Sequence, residues 1–288
     1  MVFRLQPLGP FKFEIKPYTL ALGGIKIPEA KHQLLAWWKL DETEGAEASD
    51  ASGNNHFGML VGGPKWLPTG GKMDGALQFD GVDDYVQTSY TDDLPVWTIS
   101  VWVKSPASPT SEGPSAVVNR ENTYQINWDH QSEVFRGSAG VQVGGEWYAA
   151  GFGDLQPNTW YHLLVNYDGE SLKAYKDGVL VTDTSGLFGS PYAEQATLTL
   201  GRHAYDREPE NHFAGLIDDV RIYNYPLAET EVAALYSGKT SSPAQPTEVL
   251  AASEPEPEAG SRWILISIII VLVISAAGLV MFRKKVAS

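Results

Sequence analysis

The sequence predicts an all-β protein: a two-sheet antiparallel jelly-roll sandwich, followed by a single apolar segment near the C-terminus. Three observations point there. Short runs alternate apolar and polar residues with the period of two that a half-buried strand requires. Turn-forming residues separate them, among 28 glycines in 288 residues. The chain also holds nine Trp and thirteen Tyr, residue types that pleated surfaces accommodate better than helices do.

Residues 1–33 carry Arg4, Lys12, Glu14 and Lys16 with prolines between them. They contain no uninterrupted apolar core of a signal peptide. FKFEIKP and ALGGIKIP read as strands, the remnant of a preceding domain in a longer surface protein. Residues 34–238 form the sandwich. TISVWVK places Ile99, Val101 and Val103 on one face and Ser100, Trp102 and Lys104 on the other. A strand is expected over 160–167 and another over 171–176. The latter is joined to a strand over 179–182 by Asp177-Gly178, a two-residue link typical of a hairpin. Only 227–236 reads as helix, with Glu229 and Glu231 at its positive end.

Residues 239–262 are rich in Ser, Pro, Ala and Glu, including Glu254-Pro255-Glu256-Pro257-Glu258. Such a stretch buries too little apolar surface to fold and serves as a stalk. Residues 263–282 lack any charge, and at about 1.5 Å per residue they cross a hydrocarbon core of roughly 30 Å as a transmembrane helix. The basic tail 283–288, opening Arg283-Lys284-Lys285, fits the cytoplasmic side, and Trp263 the opposite interface. The expected protein is single-pass in the cell membrane, with its sandwich outside and its C-terminus inside. A tripartite sorting signal is the rival fate of this end.

The formal charge of −14 gives no basic footprint for a phosphate backbone, so no nucleic-acid partner is expected. With no cysteine, disulfides and thiolate metal sites are excluded.

LLAWWKLDETEG, DASGNNHFG, ALQFDGVDDYV and WTISVWVK occur in that order, followed by TWYHLLVNYDG, LKAYKDGVLV, LTLGRH and GLIDDVRIYNYPLAETEVAALY. Together they resemble the laminin-G-like (LamG) domains of the concanavalin A-like lectin/glucanase superfamily, over about residues 34–238. The resemblance implies a jelly roll, a bound calcium ion (Ca2+) in many members, and a ligand surface on loops or on the concave face. In the family, Ser after the Leu of the last helix and Glu three residues later form a capping box. Here Ala228 stands in the Ser position and only Glu231 remains.

Calcium takes six to eight oxygen ligands. The family motif, carried over, names Asp218 as ligand. Asp50 is the expected helper, with loop carbonyls near Asn55 and His56. The plainer alternative is that Asp50 caps a turn and Asp218 accepts backbone hydrogen bonds. Strand alternation would put Asp218 and Asp219 on opposite faces. Asp80, Asp83 and Asp84 read as a solvated hairpin turn. No His pair has zinc spacing.

Related glucanases carry Glu-x-Asp-x-x-Glu on one strand, and this chain has no such run, so no enzyme activity is expected. For ligand binding, Trp128 (beside Asn127 and Asp129), Trp147 and Tyr148 have the aromatic-plus-polar character of a sugar platform, with core packing as the alternative. Trp102 and Trp160 match interior family positions. The expected function is a surface adhesion module for a glycan or an extracellular protein. A carbohydrate-active enzyme and a purely structural envelope protein are the alternatives.

Overall fold

The computed structural model describes residues 31–106, 113–131, 134–189, 191–192, 196–203 and 212–239, together with the backbone of two earlier strands. Those two, β1 (Val2–Pro7) and β2 (Phe13–Tyr18), pair antiparallel as a hairpin of their own. The second contains most of FKFEIKP, whereas ALGGIKIP lies outside the described residues, as do the stalk, the apolar segment and the basic tail. Among the described residues no helix is long and apolar enough to cross a membrane.

Among the described residues the sandwich uses sixteen strands. They begin with β3 (Leu34–Trp38), β4 (Glu47–Ala48), β5 (Gly58–Val61), β6 (Lys65–Leu67), β7 (Ala76–Asp80), β8 (Tyr85–Thr88), β9 (Trp97–Lys104) and β10 (Gly113–Arg120). Next come β11 (Tyr124–Gln131), β12 (Val134–Val143), β13 (Glu146–Leu155), β14 (Tyr161–Tyr167), β15 (Ser171–Lys176) and β16 (Val179–Ser185). The last are β17 (Leu198–Leu200) and β18 (Ala214–Tyr223), and α1 (Glu229–Tyr236) follows. One sheet runs β13-β12-β11-β10-β17-β8-β5-β4; the other runs β16-β15-β14-β9-β18-β7-β6, with β3 also paired to β18. All pairings are antiparallel, as the sequence predicts.

The core lies between the sheets and is largely aromatic. Trp38, Phe79, Trp97, Tyr124, Trp128, Phe152 and Tyr167 are all shielded from water there. Ile99, Val101 and Val103 face inward, as their alternation requires. The Asp177-Gly178 link turns with φ of +53° and +79°, the two left-handed residues of a hairpin turn whose twist matches its strands. Where β13 and β16 meet at the sandwich edge, Thr182 and Thr184 donate hydroxyl hydrogens to the carbonyls of Gly151 and Ala149. The helix begins two residues later than predicted. Val232 and Leu235 then pack on Leu164, Tyr175, Tyr225 and Leu227, covering the outer face of the second sheet.

Candidate functional site

The outer face of the first sheet is built by alternation. On β11, Tyr124, Ile126 and Trp128 join the core, so the residues between them, Gln125, Asn127 and Asp129, face away from it. Gln125 pairs with Asn119 on β10 and with Gly140 on β12, Asn119 pairs with Thr199, and Gly140 with Ala149 on β13. Asn127 pairs with Ser138, which stands opposite Gly151. Amide side chains thus occupy this face of β10 and β11, where Asn119 and Asn127 are themselves buried, while Gly, Ser and Ala occupy it on β12 and β13.

One wall of the trough over these strands is Trp147. Its side chain is 44% exposed, and a Cβ added at Gly140 would lie 3.3 Å from both the Trp147 ring and Gln125. The indole therefore lies over the bare backbone of Gly140, a flat apolar surface beside amides. At the same end a hollow of about 210 Å³ opens between Leu94, Arg120, Thr123 and the half-exposed Tyr192, whose N–H donates to the carbonyl of Gln142, the residue opposite Trp147. Asn127 is 5% exposed, and its Oδ1 and Asp129 Oδ1 are both shielded from water without a hydrogen-bond partner. An unmatched buried acceptor costs about 1–3 kcal/mol and marks a place where a ligand can repay stability.

The structure sorts the three aromatic candidates. Trp147 lies on the open face. Tyr148, its neighbour, packs against the core. Trp128 is corrected from ligand candidate to core residue: it is 2% exposed and contacts Phe135, Tyr161 and Phe213. The functional signal beside it was polar. Asn127 and Asp129 fall on the open face because the aromatic between them falls in the core.

Of the proposed metal ligands, Asp50, Asn55 and His56 come together in one loop, but that loop leaves little for an ion. Asp50 accepts hydrogen bonds from Trp37 N, His56 N, Ser52 N and Ser52 Oγ, all between 2.8 and 2.9 Å. Burial opposes its ionisation, yet these bonds outweigh it and hold the carboxyl below its usual range. The His56 carbonyl is taken by Trp38 Nε1 at 2.6 Å, and Asn55 serves the turn with φ of +64°. Asp50 thus organises the turn, and it shares no partner with Asp218.

Asp218 lies at another corner. Its Oδ2 accepts from Lys72 N at 2.7 Å and Met73 N at 2.8 Å, while its Oδ1 is buried without a partner. Burial pushes the carboxyl up to about 7, and the negative charges of Asp219 and Asp41 add to the rise against the two N–H bonds. Asp41 accepts from Gly75 N at 2.8 Å in the same loop region, and burial raises it as well. The expected opposition of Asp218 and Asp219 fails. Ile217 and Val220 are both core residues, and a bulge with Asp219 at φ +52° fits two residues between them. Asp219 then accepts from Trp37 Nε1 at 2.6 Å and from Arg221.

Two further clusters have structural roles. Asp80, Asp83 and Asp84 hold carboxylate oxygens within 4.8 Å of one another, but Asp80 and Asp84 accept backbone N–H bonds within the hairpin, the turn role the sequence suggests. Ser100 Oγ lies 2.8 Å from His162 Nε2, the spacing of a nucleophile and its base. Both residues are 0% exposed, and Tyr236 stacks on the adjoining Trp102. Burial, aided by Arg221, pushes the imidazole down to about 3.

The chain is a two-sheet antiparallel β-sandwich whose second sheet carries a helix on its outer face and whose first sheet carries polar residues on its own. Residues 80–233, more than half of the chain, match a laminin G family model described as the concanavalin A-like lectin/glucanases superfamily; the chain belongs to that superfamily. No curated protein matches it in sequence. Among solved structures it is similar to domain 4 of AbnA, a GH43 extracellular arabinanase from Geobacillus stearothermophilus solved in complex with arabinotriose. That match has a TM-score of 0.55 and 21% identity, and covers 71% of this chain and 98% of that one. It is also similar to the binding domain of Paraclostridial Mosquitocidal Protein 1, with a TM-score of 0.58 and 16% identity over 72% of this chain and 52% of that one. The receptor binding domain of a botulinum neurotoxin C/D mosaic serotype gives 0.57 and 14%, over 72% and 51%. The chain thus spans about half the length of the two toxin domains. At these identities the likeness is one of fold.

Proposed function

We propose that this chain is a non-catalytic carbohydrate-binding module, displayed outside the cell on a stalk and held in the membrane by residues 263–282. The observation that carries the reading is the trough over β10–β13: an indole lying over glycine backbone, beside amides and a carboxylate with unmatched oxygens. Sugars present apolar C–H faces to aromatic rings and hydroxyls to amides, so both halves of the trough have a counterpart in one ligand. The floor is small-residued and polar-lined, which suits a narrow saccharide better than the broad apolar patch a protein partner would cover. Neighbours of the same fold that bind sugar or receptor give the reading its background.

Calcium has a structural place in this proposal. The Asp218 corner fits a hard cation better than the Asp50 loop does, because Asp218 keeps a buried, unmatched oxygen with Asp41 nearby. Asp218 and Asp41 would hold the ion, which would neutralise a carboxylate the fold otherwise buries at a cost.

The test is isothermal titration of the full chain with neutral oligosaccharides, for wild type and Trp147→Ala. Loss of the stacking ring should weaken binding about tenfold, equivalent to about 1.4 kcal/mol. Equal affinity in the two proteins would remove the trough as the site.

A further inference from the structure

We infer that the trough selects neutral, hydroxyl-rich glycans and excludes acidic ones, an inference that rests on the carbohydrate-binding reading above. The two unmatched atoms on its polar side, Asn127 Oδ1 and Asp129 Oδ1, are both acceptors. They sit two residues apart on one strand, roughly 7 Å along it, so they address different ligand groups rather than sharing one. Each must be met by a donor. A sugar hydroxyl donates; an ionised carboxylate or sulfate can only accept, and would leave both protein oxygens unmatched while facing a negative charge.

The charges around the trough agree. Arg136 stands opposite Asp129 across β11 and β12, but its guanidinium pairs with Asp154 at 3.5 Å. Glu146 is exposed at the start of β13, next to Trp147. The open face therefore presents Asp129, Asp154 and Glu146 against Arg136, within a chain of formal charge −14. The carboxylates outnumber the one guanidinium among these residues, so an acidic glycan meets net negative charge.

The experiment titrates the full chain with four probes at fixed ionic strength: arabinotriose and cellotriose as neutral ligands, trigalacturonate and sialyllactose as acidic ones. At least one neutral probe should bind, with both acidic probes weaker by about tenfold or more. Asp129→Asn, which keeps the shape and removes the charge, should narrow that gap, and Asn127→Ala should weaken the neutral ligand. An acidic probe binding as tightly as the better neutral one overturns the inference in the wild type alone, and leaves the carbohydrate reading standing. Binding by none of the four probes, with a silent glycan array, would end both.

Discussion

Trp128 and Trp147 are chemically identical and do opposite work, and their placement follows from strand parity. Trp128 fills the core among Phe135, Tyr161 and Phe213, so Trp128→Ala should lower stability by about 3–5 kcal/mol through the cavity it leaves. Trp147 rests on the surface, and its removal should change stability by only about 0.5 kcal/mol while weakening sugar binding. Thermal unfolding of the two variants side by side checks this; a folded Trp128→Ala with an unchanged midpoint would contradict the assignment. The parity was legible in the sequence. YQINWDHQ alternates aromatic and aliphatic residues with polar ones, and the polar set is the one that faces out. The exposure of Trp147 was less legible, because it depends on Gly140 seven residues earlier on the neighbouring strand offering no side chain to displace it.

At the scale of elements, the strands follow their alternation closely, and the exceptions arise where hydrogen bonds compete with the ladder. IDDVRIY reads as a regular strand, yet Asp219 turns left-handed. There the paired edge of β18 passes from β7, which ends opposite Ile217, to β3, which begins opposite Val220. That handover is a non-local event that strand propensity cannot report. The late start of α1 has a local cause. Ala228 lies at φ −65° and ψ 154°, the extended geometry of an N-cap, and Glu231 completes its half of a capping box by accepting from Ala228 N at 2.8 Å. A methyl group cannot return the bond. Ala228→Ser supplies the missing oxygen and should stabilise the domain by about 1 kcal/mol, raising the melting midpoint by roughly 2–4 °C. Differential scanning calorimetry checks it; no gain would mean that the helix start already has another acceptor.

For the whole molecule, the pH dependence of stability centres on Asp218, the carboxylate proposed to hold calcium. Its folded carboxyl is raised to about 7 from an ordinary value of 3.8, so the native state holds a proton that the unfolded chain releases. Its contribution to stability is present below about pH 4 and is lost as pH rises through about 7. Asp50 is lowered and acts in the opposite sense, losing its contribution as pH falls. The difference in stability between wild type and Asp218→Asn, measured by denaturant unfolding in a chelator, should therefore turn against the wild type between about pH 4 and 7. A cation bound to Asp218 would hold it ionised, so millimolar calcium should abolish that trend and raise the melting midpoint. Identical pH profiles with calcium and with chelator would assign this corner to hydrogen bonding alone. The sequence offered Asp218 for this role with Asp50 as helper; in the folded chain Asp50 accepts four hydrogen bonds within its own turn, and Asp41 is a carboxylate close enough to act on Asp218.

The claim on which the functional account stands is that the bare backbone of Gly140 lets the Trp147 indole lie flat on the sheet as an exposed platform for a ligand. Gly140→Leu tests it most directly, since the new side chain would start 3.3 Å from the indole and from Gln125 and push the ring off its seat. The measurement is calorimetric titration of wild type and Gly140→Leu with the best-binding neutral oligosaccharide, at a temperature where both are folded. The account predicts that the wild type binds and that the variant loses about tenfold or more in affinity with its fold intact. Undiminished binding by a folded Gly140→Leu would contradict it.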